Sequence, residues 1–338
     1  MRVFTGPRPA AGVCRVHRLL ILALGAALLL AAACGGGSGS PPPDPDGPAS
    51  GPGADSDSGY PYTFTDDAGR TVTVARRPER IITLAPSHSE VLFAIGAGDR
   101  VVGVDSFTDY PEEAARLPKL GGLTDTNYEQ IVALAPDLAL TVGGTDQQVA
   151  RLEELGITVV VSQPQTLEDV LASIEHLGRV VDARDGAARV VADMRGRMEA
   201  VSRATASIPE SRRLRVFLEI WHDPLMSVGP GAFMHDLIVA AGGVNVFADS
   251  DSPWPVVSLE ALVDRDPEAI ITMFDESYQQ LLAGERPGWE GVAAVRDGRI
   301  LLMDENLISR PGPRLVEALE QVARFLYPDA FDAGEREP

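Results

Sequence analysis

From residue 60 onward, apolar positions follow two alternating patterns. Short unbroken runs rich in β-branched residues are "RIITLAP" (80–86), "VVGVD" (101–105), "LALTV" (138–142) and "TVVVSQP" (158–164). Between them lie "SHSEVLFAIGA", "NYEQIVALA" and "DQQVARLEELG", and "TLEDVLASIEHLGRVV" follows the last, each patterned as a helix. Continuous apolar strands alternating with helices predict a parallel sheet covered on both faces. A second set starts after residue 212, with strands "RVFLEIW" (215–221), "AIITMF" (269–274) and "ILLMDE" (300–305) and helices "AFMHDLIVAAGG", "SLEALVDRD", "WEGVAAV" and "RLVEALEQVARFLY". The chain therefore reads as two α/β lobes. Between them, Val190, Val191, Met194, Met198 and Val201 recur at three-to-four spacing and form an apolar stripe. One long helix joins the lobes, and such a strut is stiff where extended crossovers would hinge.

One pattern occurs twice. "NYEQIVALAPDLAL" (127–140) and "SLEALVDRDPEAII" (258–271) each carry a capping residue, Glu two positions on, Pro seven further, an acid and an apolar run. Asn127 and Ser258 cap a helix, the proline ends it, and the apolar run becomes the next strand. Glu129 and Glu260 then fall in first turns. Helix-dipole complementarity, worth about 0.3–1 kcal/mol, accounts for either one alone. As a matched pair they also read as two acidic points on one face of the molecule.

Composition narrows the class. At 338 residues the chain holds about two domains at roughly 100–200 residues each. The formal net charge is −20, and residues 1–33 contribute four arginines and no acid, so the remainder is near −24. Phosphates would be repelled, which argues against a nucleic-acid partner. Arg15 and Arg18 precede the 15-residue apolar run "LLILALGAALLLAAA", a length that suits a signal h-region better than a membrane span. The run ends in "LAAAC", which resembles a bacterial lipoprotein signal, with Cys34 as the acylated first residue of the mature chain. The alternative is an ordinary secretory signal. The only other cysteine, Cys14, lies inside the signal, so no disulfide is available to the exported part. Residues 35–59 contain only Gly, Pro, Ser, Asp and Ala, a composition that cannot form a core and reads as a disordered tether. The expected organisation is a signal at 1–33, lipidated Cys34 and tether to 59, an N-terminal lobe over 60–182, a connecting helix over 183–208, a C-terminal lobe over 209–330 and a tail over 331–338.

Taken together, "DDAGRTVTVARRPERIITLAPSHSEVLFAIGAGDRVVGVD", "DYP", "NYEQIVALAPDL", "FLEIWHDPLMSVGPGAFMHDLIVAAGGVNVFAD" and "PWPVVSLEALVDRDPEAII" resemble the cobalamin and iron-chelate substrate-binding proteins of ATP-binding-cassette (ABC) importers. The resemblance spans roughly residues 62–328. It implies two Rossmann-like lobes joined by one long α-helix, with the ligand held in the cleft between them. It also implies that Glu129 and Glu260, one per lobe, meet arginines of the permease.

The expected cargo is wide, flat and partly apolar, so aromatic rings are the expected contacts. Trp254, in "PWP", matches the cobalamin binder's cleft segment, against the alternative of a core anchor for the loop. Tyr110 in "TDYP" matches a family ligand position. Trp221 follows a predicted strand, where α/β clefts lie, although the cobalamin relatives keep an aromatic one residue earlier. Asn306 and Arg310 match polar positions around the corrin amides; Arg310 also suits a siderophore or haem carboxylate, or a helix end. Ser87 and His88 match the cleft end of the first helix. His88 and His222 read as capping or solvent-facing histidines in preference to metal ligands. The cobalamin binder has tryptophans where this chain has Leu123 and Val142, which keeps iron chelates open.

No GxxxxGK[ST], GxSxG or HExxH motif is present, and no His/Cys cluster has metal-site spacing. The expectation is a monomeric, lipid-anchored extracytoplasmic receptor with no enzymatic activity and no cofactor. It would bind a corrinoid, or else a ferric siderophore or haem, and deliver it to an ABC permease and its ATPase. A surface enzyme on a doubly wound fold is the rival from another class.

Overall fold

The structure, a computed structural model, describes residues 59–143 and 146–332. The N-terminal lobe contains β1 (Tyr62–Thr65), β2 (Thr71–Val74), β3 (Ile81–Thr83), α1 (Pro86–Ala94), β4 (Val101–Val104), α2 (Glu112–Ala115), α3 (Tyr128–Leu134), β5 (Leu138–Thr141), α4 (Asp146–Glu154), β6 (Thr158–Val161) and α5 (Leu167–Val180). The connecting helix is α6 (Arg184–Thr205). The C-terminal lobe contains β7 (Arg215–Glu219), β8 (Trp221–His222), β9 (Leu225–Met226), α7 (Phe233–Ala240), β10 (Val244–Asn245), α8 (Leu259–Arg265), β11 (Ala269–Thr272), α9 (Asp275–Ala283), α10 (Ala293–Arg296), β12 (Ile300–Leu302), α11 (Glu305–Ile308), α12 (Leu315–Leu326) and α13 (Pro328–Asp332).

Each lobe is built on a four-stranded parallel sheet, and the two share one topology. The orders are β4-β3-β5-β6 and β10-β7-β11-β12, so in each lobe the first strand of the sheet is central and the chain reverses direction across it. Ile82 lies opposite Ala139 in one sheet, and Ile270 opposite Phe217 in the other. These strands are buried on both faces, which is why they read as unbroken apolar runs.

Alternation along the strands divides the core in three. Ile81, Leu138 and Leu140 share one cluster with Val216, Leu218, Ala269 and Ile271 of the other lobe, through Leu177 of α5, Val191 and Met194 of α6, and Leu319 of α12. The neighbouring residues on the same strands point the other way. Phe217 and Ile270 pack with Leu262 and Trp289, while Ile82 and Ala139 pack with Ile131 and Leu152. A shared central core thus runs from sheet to sheet, and each lobe adds an outer core of its own. Parting the lobes would expose that shared apolar surface to water. The close fit extends to α6: a Cβ on Gly186 would collide with the carbonyl oxygen of Ile95, so only glycine lets this helix sit against the end of α1.

The structure revises several expected boundaries. The strand expected over 80–86 stops at Thr83, because Pro86 opens α1, where its missing N–H costs nothing. The strand expected over 215–221 stops at Glu219, and Trp221 belongs to the separate hairpin β8–β9. The "WEGVAAV" helix is only Ala293–Arg296, and Trp289 before it is buried. The connecting helix is shorter than 183–208 at both ends. The elements not anticipated are the hairpins β1–β2 and β8–β9, the edge strand β10, and the helices α2, α9, α11 and α13. The first hairpin is secured to β6 by Asp66 and Asp67, with the Asp66 carboxylate accepting from the Val161 amide at 3.1 Å.

Candidate ligand site between the lobes

In a doubly wound sheet of this order, the crevice opens at the carboxyl ends of the strands, beside the central pair. Here those ends are polar and buried. In the N-terminal lobe the hydroxyls of Thr83 and Ser89 share a hydrogen bond at 2.6 Å, Ser89 and Thr108 share one at 3.2 Å, and Thr108 donates to Asp105 at 2.5 Å. Burial pushes the Asp105 carboxyl above its usual range despite these donors. In the C-terminal lobe Glu219 is fully buried; Thr272 donates to it at 2.8 Å and Ser277 at 2.5 Å. Arg286 Nη1 lies 2.7 Å from Glu219 Oε1, an ion pair whose N–H points at the Ser277 hydroxyl, also 2.7 Å away.

The loops leaving these strand ends carry the exposed rings. After β4, Phe107 is 70% exposed, and its amide donates to Asp105 at 2.7 Å, which fixes the turn. After β7, Trp221 is 47% exposed and its indole N–H donates to the Asp223 carbonyl at 2.9 Å. The Trp221 ring stacks on His222 with centroids 5.2 Å apart, and Phe274 meets both rings edge-on. Below this group a cavity of about 570 Å³ is lined by His222, Phe274, Asp275, Ser277, Gln280 and Arg286. On the connection from β10 to α8, Trp254 is 37% exposed. Its flanking prolines cannot donate, but their carbonyls accept: the Gly229 amide bonds Pro253 at 2.9 Å and the Ser227 amide bonds Pro255 at 3.0 Å. That strapping holds the indole outward.

Between the lobes, Arg310 and Arg314 of the C-terminal lobe reach Glu90, Phe107 and Asp109 of the other. Arg310 Nη1 donates to Asp109 at 2.6 Å and to Glu90 at 3.0 Å, and Nη2 donates to Asn306 Oδ1 at 2.6 Å and to the Phe107 carbonyl at 3.2 Å. Asn306 in turn donates to Asp109 at 3.1 Å. Burial alone would raise the Asp109 carboxyl, but Arg310 more than offsets it and holds it below the usual range. Burial likewise opposes the Arg310 charge, yet Asp109 and Glu90 raise its pKa.

The expected site residues scatter by depth. Trp221 is exposed just past β7 and Trp254 on the connection from β10 to α8, whereas Asn306 and Arg310 are engaged across the lobe junction. Tyr110 is half exposed and turned toward α6, its ring 4.0 Å from the Arg314 guanidinium. Ser87 is buried in the first turn of α1. His88 corrects the reading of a capping or solvent-facing side chain: it is buried, its Nε2–H donates to the Ser162 carbonyl at 3.0 Å, and burial lowers its pKa to about 4. His222 is exposed, as expected. Leu123 is exposed and Val142 half-buried. Cys34 lies outside the described residues. Phe107, Glu90, Asp109 and Arg314 were not anticipated. Phe107 carried a signal, an aromatic three residues past a strand end; Glu90 carried none, because a glutamate inside a helix reads as solvated.

Glu129 and Glu260 are both exposed, in the first turns of α3 and α8. The Gln130 amide donates to the Asn127 side chain and the Ala261 amide to the Ser258 side chain, each at 3.0 Å. The acid after each proline clips the chain to the start of the central strand. Asp137 accepts from the Glu79 and Arg80 amides and Glu268 from the Arg215 amide, all at 3.0 Å. The repeated sequence is a repeated structure.

Two parallel-sheet lobes on one helical connector, with exposed rings at their strand ends, define a two-lobe, cleft-type binding protein. Residues 81–307 match the periplasmic binding protein family, and the chain belongs to that family, whose members are substrate-binding receptors of ABC importers. An uncharacterized ABC transporter substrate-binding lipoprotein, YvrC of Bacillus subtilis, is 32% identical over 80% of this chain and 86% of its own length. The crystal structure of the periplasmic vitamin B12 binding protein BtuF of Vibrio cholerae is similar at a TM-score of 0.63 and 29% identity, covering 77% of this chain and 99% of that one. The periplasmic heme-binding protein RhuT from Roseiflexus is similar at 0.66 and 25%, covering 75% and 99%. Among the described residues no cluster of three His, Cys, Asp or Glu is placed to hold a metal, and no helix is long and apolar enough to cross a membrane.

Proposed function

We propose that this protein captures a corrinoid between its lobes and delivers it to the permease of an ABC importer, as a monomeric extracytoplasmic receptor anchored by an acylated Cys34. The observation that carries this reading is the set of exposed rings Phe107, Trp221 and Trp254, on the segments that follow the carboxyl ends of β4, β7 and β10. Exposed rings are costly in water and suited to the faces of a broad, flat, partly apolar cargo. The likeness to a vitamin B12 binding protein supports the same ligand class. Arg310, which donates to the Phe107 carbonyl, and Asn306, which Arg310 also holds, stand at the junction of the lobes and would meet the ligand's amide rim. Glu129 and Glu260 are the docking points for permease arginines.

A ferric chelate or haem is the second reading. It is favoured by His222, whose exposed imidazole packs with Trp221 and Phe274, by Leu123 and Val142 where the cobalamin relatives have tryptophans, and by the likeness to a heme-binding protein.

Titration followed by tryptophan fluorescence separates the two. Trp289 is buried and supplies a constant background, while Trp221 and Trp254 report binding. Cyanocobalamin is expected to quench saturably at one equivalent, and Trp254→Ala to weaken it. Quenching by a ferric hydroxamate or haemin but not by cyanocobalamin would replace the corrinoid with the second reading. Mass spectrometry of the mature N-terminus tests acylation of Cys34.

A further inference from the structure

Glu90 sits mid-way along α1 in the N-terminal lobe, and its side chain is almost wholly buried. A lone carboxylate in that setting would shed its charge by taking up a proton. Its charge partners are instead two arginines of the C-terminal lobe. Arg314 donates from Nε to Oε2 at 2.9 Å and from Nη2 to Oε1 at 2.8 Å, and Arg310 donates to Oε1 at 3.0 Å. Arg310 is also held by Asp109, whose side chain is largely exposed at the rim of the junction. One buried acid therefore ties down two cations that belong to the opposite lobe.

The shared core is the other attachment, together with the Leu167 amide of α5, which donates to Asp236 of α7 at 2.9 Å. Two separate attachments constrain the relative orientation of two bodies more tightly than one. The geometry points to Glu90 as the positioning residue of the cleft: it clamps Arg310 and Arg314, sets the lobe spacing before any ligand arrives, and keeps Arg310 in place beside Phe107. The lobe-spacing part stands whatever the ligand is, whereas the Arg310 part rests on the function proposed above.

The test compares Glu90→Gln with a charge-balanced variant, Glu90→Gln/Arg314→Met, which removes one charge of each sign and so protects against simple failure to fold. Arg197→Gln is the control, because Arg197 forms an equally close two-bond pair with Glu320, at 2.7 and 2.8 Å, that joins α6 to α12. The first readout is amide hydrogen exchange of residues 86–94 and 305–314 in the ligand-free protein. Both Glu90 variants are expected to exchange there about tenfold faster, and the control to leave these segments protected while lowering the melting temperature. The second readout is the dissociation rate of cyanocobalamin, expected to rise about tenfold in the Glu90 variants only. A folded double variant with wild-type exchange in both segments overturns the clamp, and so does a control that loosens them equally. Faster exchange in a protein whose wild type does not bind cyanocobalamin upholds the clamp and removes the corrinoid.

Discussion

Ala135 and Asp266 close the matched helices α3 and α8 in the same left-handed backbone, at φ 45°, ψ 56° and φ 42°, ψ 68°. Neither is glycine, so each bears the steric penalty of that region, about 1–2 kcal/mol. Only Asp266 has a compensating bond, its carboxylate accepting from the Ala293 amide at 2.8 Å. Ala135→Gly is therefore expected to stabilise the protein by about 0.5–1 kcal/mol once glycine's extra chain entropy is set against the relieved strain. Asp266→Gly loses about 1 kcal/mol of hydrogen bond and gains nothing net. Urea denaturation of the two variants should move in different directions or by clearly different amounts, and equal stabilisation would contradict this account.

The exposed carboxylates of Glu129 and Glu260 serve docking in the proposed function, not folding. Replacing both with alanine is expected to change stability by less than about 1 kcal/mol in total and to leave ligand titration unaltered. Uptake in cells should fall sharply. Undiminished uptake by the double variant would remove the two points from the importer interface.

His88 makes stability depend on pH. Its pKa falls from 6.5 to about 4 on folding, so between those values the unfolded chain binds more protons than the folded one. Stability is insensitive to this group above pH 6.5 and declines as pH drops from 6.5 toward 4, at up to about 1.4 kcal/mol per pH unit. The half-buried His176, also shifted down by burial, acts with the same sign. In His88→Gln the amide can still donate to the Ser162 carbonyl, and the slope of denaturation midpoint against pH in this window should flatten. An unchanged slope would show that other groups set it.

Glu219 holds the polar end of the C-terminal sheet together through Thr272, Ser277 and Arg286. Glu219→Ala strands the Arg286 charge and is expected to cost about 3–5 kcal/mol. Guanidinium denaturation should show that loss with the two-lobe architecture intact at low denaturant, and a cost below 1 kcal/mol would mean that Arg286 finds water on its own.

The shared core predicts a cleft formed before the ligand arrives. Small-angle scattering should show a radius of gyration that changes by less than about 1 Å on saturation, against the roughly 19 Å expected of a compact body of about 270 residues. A large contraction would mean that the core between the lobes shears or opens.

The two α/β lobes and the connecting helix were legible in the sequence, because apolar periodicity depends only on neighbours a few residues apart. The stripe through Val191, Met194 and Val201 is buried as its spacing implied. The repeat at Asn127 and Ser258 was legible for the same reason: cap, helix, proline and strand are local instructions. The hairpin β1–β2 was obscured because threonines alternate with its apolar residues and only one face is covered, so no unbroken apolar run marks it.

The site was less legible. Tryptophans between prolines or past a strand end announce themselves, and Trp254 and Trp221 are exposed where that logic put them. Which aromatic of the 105–111 loop is presented was not readable: Phe107 stands free, while Tyr110 turns under Arg314. The sequence by itself determined strands, helices, their alternation and the duplicated cap–helix–proline unit, since each is set by backbone propensity and short-range burial. Only the tertiary structure decided that Glu90 meets Arg310 and Arg314, more than two hundred residues away, and that His88 is buried and neutral. The reason is physical: charge pairing and desolvation are set by what lies across the lobe junction or in the next layer, and residues that far apart in the chain leave no periodic trace of their meeting.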